Sequence, residues 1–428
     1  MKLNYKRTIL VGFAFFLISA FWQAYDTIIP LILTNKFNMS QAGSGFIMAL
    51  DNIFAVFMLP LFGALSDKTK TRYGRRTPYI FFGTIAAVCA FVALSFADDL
   101  ALFIVLLLLS LISMATFRSP AVALMPDVTV KSLRSQGNAI INLMGTAGGI
   151  IVLAFATVFH TSEVGKTDFR AYIAAVCGVM LVGLAIFLAT VRETRWARDM
   201  EEDSLKIDAE PAADGADTEA EDGGRLAKDK MTSLVFILAS VALWFIGYNA
   251  VISKYSIYAT NELHISYSVS LLIAQAAAVV AYIPVGIVAS KIGRKRTILA
   301  GVAMLFLAFG GASFITSGSP EWLMTLLFAL AGIAWATINV NSFPMVVELA
   351  RGGNVGRYTG YYYTASMAAQ IVTPILSGVL MDYVGMRTLF PYAAVFVMLA
   401  FVTMLFVRHG DNRPAAPASV LENFDNDN

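Results

Sequence analysis

Three ionisable side chains sit inside stretches that are otherwise apolar. Asp26 lies in the middle of the run 8–33, and Asp51 lies about a third of the way into the run 44–65. Arg118 lies one to one and a half turns from the end of the run 100–122. A charge at bilayer depth is costly, so such residues usually face a water-filled cavity or a partner. A carboxyl group in that setting can load and release a proton. Arginine stays charged and needs a carboxylate or a polar cavity. Together the three are candidates for proton or cation coupling. Blander readings stand beside this one: a neutral, hydrogen-bonded structural acid, an Asp51 near the outer surface, or an Arg118 that snorkels to the interface.

The elements that would position them are membrane helices. Residues of the types AVILMFWYC make up 58% of the chain and charged residues 14%, too little charge to coat a soluble surface of this size. Apolar runs fall near 8–33, 44–65, 78–97, 100–122, 138–160 and 171–191, then near 232–258, 267–290, 297–317, 321–345, 358–381 and 389–407. Most are close to the roughly 20 residues that carry a helix across the hydrocarbon. They are continuous and Gly/Ala-rich without two-residue alternation, which favours helices over a barrel. The expected fold is an all-α polytopic membrane protein with twelve transmembrane helices. The basic N-terminus resembles the start of a signal peptide, but its apolar run continues to about residue 33 without a small-residue cleavage site, so it is read as a retained helix.

Lys and Arg set the orientation. With the N-terminus inside, 25 of the 31 basic residues fall on the cytoplasmic side and 4 outside, which predicts cytoplasmic termini. The polar, Asp/Glu-rich stretch 192–230 reads as a disordered or loosely helical cytoplasmic linker. It divides the chain into six-span halves at 1–191 and 231–408, with a tail at 409–428. The halves share an offset of 223 residues: Tyr25-Asp26 matches Tyr248-Asn249, Gly63 matches Gly286, and Arg134-x-x-Gly137 matches Arg357-x-x-Gly360. Two such halves suit rocking about a midplane site.

Twelve spans, a long central loop and the pattern G-x-x-S-D-x-x-x-x-x-x-G-R-R at 63–76 resemble the major facilitator superfamily. More narrowly, DNIFAVFMLPLFGALSDKTKTRYGRRTPYI at 51–80 and FRSPAVALMPDVTVKSLRSQGNAIINLMG at 117–145 resemble sugar:cation symporters of the sucrose-transporter and glycoside–pentoside–hexuronide types. Thr77 stands where that group often carries a third basic residue. The resemblance implies the major facilitator fold with two pseudo-symmetric halves, and proton-coupled sugar transport by alternating access. It supports Asp26 and Asp51 as coupling residues, since the related symporters carry acids on these two helices.

A sugar site wants amides and carboxylates for hydroxyls and aromatic faces for the C–H side of the ring. The candidates are Gln23, Tyr25, Asp26, Asn52, Asn142, Trp244, Tyr248, Asn249, Gln275, Trp335, Asn339 and Gln370. Trp335 and Asn339 are four apart and share a helix face. Each amide also reads as interhelical glue. Lys254 reads either as a snorkelling residue near the outer end or as a cavity residue. Asp67, Arg75, Arg76, Asp127, Arg134, Arg294, Glu348 and Arg357 form a candidate cytoplasmic gate; Asp67 either takes a bond from Arg75 or Arg76 or caps the following helix.

Cys89 and Cys177 lie in apolar runs, and His160, His264 and His409 are scattered, so no metal site is expected. Gly145, Gly148 and Gly149 lie in a membrane run without a strand–turn–helix setting, and read as close packing rather than nucleotide binding. No Walker sequence and no catalytic constellation is present, so neither an enzyme nor a cofactor is expected. The net charge of +2 gives no support to nucleic-acid binding. The sequence therefore predicts a monomeric transporter of the cell membrane, embedded in the lipid bilayer, that carries a disaccharide or glycoside with H+, or with Na+. Two readings compete with it: a drug or lipophile/proton antiporter of the same fold, and a non-transporting membrane sensor.

Overall fold

The computed structural model describes residues 3–130, 133–209, 228–347, 349 and 355–410. Among the described residues the secondary structure is helical, without strands. The helices are α1 (Tyr5–Leu31), α2 (Gln41–Lys68), α3 (Thr77–Leu94), α4 (Leu100–Asp127), α5 (Arg134–Val158), α6 (Arg170–Thr190), α7 (Glu193–Ala209), α8 (Lys228–Ile257), α9 (Tyr267–Ile292), α10 (Arg294–Ala312), α11 (Glu321–Val347), α12 (Val355–Tyr383) and α13 (Leu389–Leu405). By length and composition 11 of the described helices can cross a membrane, and a shorter apolar helix covers Tyr267–Tyr282. Each of the twelve predicted apolar runs is a helix. The largest extension at a single end is at α4, which runs past Pro120 and Pro126 to Asp127.

The start of the predicted linker is more ordered than expected. It forms α7, which buries Glu193 and Trp196 and ties Asp199 to Arg7 of α1 at 2.7 Å. Residues 210–227 of the linker and residues 411–428 of the predicted tail lie outside the described residues.

The chain forms two compact units. One comprises Met1–Ile29, Leu50–Thr161 and Lys166–Asp214; the other comprises Pro30–Ala49, Ser162–Gly165 and Gly215–Asn428. In the first, α3 packs on α4 and α6, and α1 meets α5 so closely that a Cβ on Gly148 would stand 2.6 Å from the Phe16 carbonyl oxygen. In the second, α8 packs on α12 and α13, and α11 on α9 and α10. There Gly332 lies against the Ala274 carbonyl with no room for a Cβ. Such backbone contact suits helix association in lipid, where burying apolar area between helices gains little.

The structure adds a feature common to both halves, three residues out of the 223-residue register. α1 and α8, the first helices of the two halves, both end in a π-helical turn, Ile32–Lys36 and Tyr258–Leu263. Each turn carries a Thr-Asn pair, and Asn261 Nδ2 donates to Asn35 Oδ1 at 3.2 Å within the second unit.

Candidate functional site

In the first unit α1, α2 and α4 bring Asp26, Asp51 and Arg118 together. All three are half-buried. The charge of Arg118 acts on both carboxyl groups, and Asp51 acts on Asp26. Asn52 donates its backbone N–H (2.6 Å) and its Nδ2 (2.7 Å) to the same Asp51 oxygen, Oδ1. The Arg118 guanidinium lies 5.4 Å from the centre of the Trp22 ring, within cation–π range. Trp22 stands edge-on to Tyr25 at 5.3 Å, and Phe21 anchors the group against Phe91 of α3 at 5.0 Å. Tyr25 is fully buried. One guanidinium thus lies within electrostatic reach of two acids. Gln23 on α1 and Asn142 on α5 are half-buried.

The second unit presents an aromatic platform. Tyr248 of α8 and Trp335 of α11 stack with centroids 3.6 Å apart and planes within 2°, and Phe245 meets Trp335 edge-on at 5.3 Å. Asn249 turns its Nδ2 onto the Phe245 carbonyl at 2.8 Å. Asn339 lies one turn beyond Trp335, half-buried, as are Gln275 on α9 and Gln370 on α12. Trp244, on the same helix as Tyr248, is fully buried and belongs to the packed side of α8.

The charged loop 66–77 has closely defined partners, all within the first unit. Arg75 forks onto Asp127 through Nη2 (2.6 Å) and Nε (3.0 Å). Arg76, nearly buried, donates Nε to Asp127 at 2.7 Å and Nη2 to Asp67 at 2.5 Å, and also bonds Ser66 Oγ. Burial disfavours the Arg76 charge, but Asp127 and then Asp67 outweigh it and hold its pKa above the usual arginine value. Of the alternatives for Asp67, the structure takes the arginine bond. The cap of the following helix comes instead from Glu193, which accepts the backbone N–H of Arg75 (2.7 Å), Arg76 (2.9 Å) and Thr77 (2.8 Å). Arg134 bonds the carbonyls of Pro126 and Thr129 at 3.0 and 3.2 Å, so the acid of the fourth span pairs with the neighbouring loop rather than with Arg134. Arg294 is half-buried at the start of α10, and Lys295 beside it caps the end of α13 on the Leu405 and Val407 carbonyls. Glu348 and the side chain of Arg357 lie outside the described residues.

Sequence reasoning missed Glu193 and Trp22, and left Lys254 open. An acid at the head of a helix was the available signal for Glu193. Lys254 does not snorkel: it is fully buried and donates Nζ to the Gln41 carbonyl at 2.7 Å. Among the described residues no group of three or more His, Cys, Asp or Glu is placed to hold a metal ion.

Comparison with known proteins follows the same lines. The Major Facilitator Superfamily model matches residues 11–317 and 237–423. The MFS-type transporter ppzB of Metarhizium majus is 29% identical over 118 residues, 28% of this chain and 25% of its own length. An uncharacterized MFS-type transporter of Methanocaldococcus jannaschii is 29% identical over 126 residues, 29% of this chain and 30% of its own length. Among solved structures, the inward-open xylose transporter XylE of E. coli matches with a TM-score of 0.67 at 12% identity, covering 95% of this chain and 97% of its own. The nucleoside transporter NupG matches with a TM-score of 0.67 at 14% identity, covering 94% of this chain and all of its own. At these identities the structural likeness speaks to fold alone.

Proposed function

The chain belongs to the Major Facilitator Superfamily and is a multi-pass membrane transporter, and from that premise we propose that it carries a sugar, a disaccharide or glycoside, together with a proton. The observation that carries this reading is the Asp26–Asp51–Arg118 cluster among membrane helices, with Trp22 over the guanidinium. Charge at that depth is expensive unless it works. Two acids competing for one arginine supply a proton-dependent switch, and Asn52 orients one of them.

The sugar assignment rests on the chemistry lining the helices of both halves. The Tyr248–Trp335 stack offers an aromatic face for a pyranose C–H surface, with Asn249 and Asn339 beside it for hydroxyls. Asp26 serves either the solute or the proton. The mechanism is alternating access: proton and sugar bind from one side, Arg118 is repartitioned between the acids, and the access changes sides. The 66–77 network serves as the cytoplasmic brace. The protein sits in the cell membrane as a monomer with both termini cytoplasmic, as the charge asymmetry of the loops favours.

The test is uptake into proteoliposomes over a panel of labelled sugars. The expected result is accumulation of a disaccharide or glycoside under an inward proton gradient, abolished by a protonophore. Accumulation that survives loss of both proton and sodium gradients would remove coupling from the reading. Transport of lipophilic cations with no sugar uptake would replace symport by antiport.

A further inference from the structure

The second copy of the charged loop carries no acid. Gly74-Arg75-Arg76-Thr77 in the first unit is answered by Gly293-Arg294-Lys295-Arg296-Thr297 in the second, and Ser290 stands where the 223-residue offset would place Asp67. In the first unit Asp127 and Asp67 take up the arginines. In the second, Lys295 turns to the end of α13, where Nζ donates to the carbonyls of Val407 at 2.6 Å and Leu405 at 3.0 Å. That bond brings the head of α10 against the residues that follow α13, so Arg296 and Arg408 stand at one edge of the unit, both exposed. The backbone of Arg408 is held: Ser233 Oγ of α8 accepts its N–H at 3.2 Å and pairs with His409 Nδ1 at 3.1 Å. Among the described residues neither guanidinium has a hydrogen-bond or ion-pair partner, and Asp229, one turn before Ser233, bonds neither.

The surface that runs from these arginines is apolar. On α10 the exposed positions Arg296, Ala300 and Leu307 share a face, and on α13 Leu399, Val402 and Phe406 do the same. α10 packs on α13, and the Phe406 ring stacks on Phe236 of α8 at 5.4 Å. Each exposed apolar column ends in an arginine, at the helix ends that the loop charges assign to the cytoplasmic side. Lys295 also removes an obstacle. The last carbonyls of α13 carry partial negative charge that would repel an anion, and the ammonium bound to them offsets it.

We propose that this edge of the second unit binds an anionic glycerophospholipid, its phosphodiester between Arg296 and Arg408 and its acyl chains along the α10 and α13 columns. The lipid phosphate supplies the acid that the second copy of the loop lacks, and guanidinium forks suit phosphate oxygens. The proposal rests on the membrane topology above and not on the sugar reading.

The test uses the full chain in detergent and needs no solute. It reads the site whichever way the chain lies in the membrane, so failure of the site and failure of the topology stay distinct. Phosphatidylglycerol is titrated in and its binding followed by native mass spectrometry, with phosphatidylcholine and inorganic phosphate as comparison probes. Phosphatidylglycerol should bind more tightly than either, because the choline lipid has no net charge and free phosphate has no chains for the columns. Arg296→Gln and Arg408→Gln should each weaken it about fivefold, and the double variant about 25-fold. Arg198→Gln removes an exposed charge from α7, outside the apolar spans, and should leave binding unchanged. Unchanged affinity in the double variant overturns the proposal. So does an equal loss in Arg198→Gln, which reports net charge alone. Phosphatidylcholine binding as tightly as phosphatidylglycerol would reduce the site to an apolar groove, and inorganic phosphate doing so would reduce it to a bare anion site; either result also overturns it.

Discussion

Glu193 Oε2 accepts both the backbone N–H of Thr77, at 2.8 Å, and its hydroxyl, at 2.7 Å. One buried carboxylate at the head of α7 thereby caps α3, whose own preceding residue, Arg76, supplies no side-chain cap. Pro78, in the first turn of the helix, has no N–H to satisfy, which leaves Arg75, Arg76 and Thr77 to point their amides at Glu193. The cap also fixes Arg76, because a backbone held at both 76 and 77 fixes the direction in which its guanidinium leaves.

Glu193→Ala is therefore expected to lower stability by about 2–3 kcal/mol, the range for stranding buried amides and losing a helix cap. Thr77→Val removes one of the four donors to Glu193 and is expected to cost about 1 kcal/mol or less. Thermal unfolding in detergent, followed by tryptophan fluorescence, reads both. Equal transition temperatures for Glu193→Ala and the parent would show that the cap is idle.

The two acids on Arg76 differ in setting, and so should their variants. Asp127 is 15% exposed and Asp67 is 58% exposed, against an Arg76 that is nearly buried. Losing an exposed partner costs about 0.2–1 kcal/mol. Losing the sheltered one leaves a buried charge short of its counter-ion, about 3 kcal/mol. Asp127→Asn should thus destabilise far more than Asp67→Asn. If both serve as the cytoplasmic brace, the Asp67 variant should alter transport rate while leaving stability nearly intact. Identical unfolding temperatures for the two variants would contradict this ranking.

Every membrane helix was visible in the chain, because an apolar run of about 20 residues has few other uses. The three membrane charges were visible for the converse reason: Asp26, Asp51 and Arg118 interrupt that pattern. Glu193 was hidden because its partners lie 116 to 118 positions away and its neighbours are the charged residues of an apparent linker. Lys254 was ambiguous because its depth depends on a carbonyl 213 positions earlier. Trp22 was passed over because an aromatic residue in an apolar run carries no signal until an arginine is found over its face. Period and composition report what a helix faces in bulk; they do not report which atom of a distant helix meets it.

The platform in the second unit supports a prediction about solute affinity. Tyr248 and Trp335 lie face to face with their planes within 2°, so removing either ring disturbs the other. Trp335→Ala should raise the KM for sugar uptake about tenfold, near 1.4 kcal/mol, with a smaller effect on the maximal rate. Tyr248→Phe keeps the stack and loses only the hydroxyl, so its KM should change less. A Trp335→Ala protein with the parent KM across the sugar panel would move the solute away from this face.

On the proton-coupling proposal Asp51 is the sharper of the two candidate acids, because both Asn52 bonds go to Oδ1, leaving Oδ2 to take the proton. Asp51→Asn mimics the protonated state permanently. It should abolish accumulation driven by a proton gradient while preserving sugar exchange between two loaded compartments, since exchange requires no net proton movement. Arg118 should then act on Asp26 alone, which makes Asp26→Asn in the same chain the informative second step: with both acids neutral the arginine has lost its counter-charges. Exchange should fail in the double variant and survive in the single one. Full gradient-driven accumulation by Asp51→Asn would remove Asp51 from the proton path. Loss of exchange in the single variant would give it a part in holding the solute.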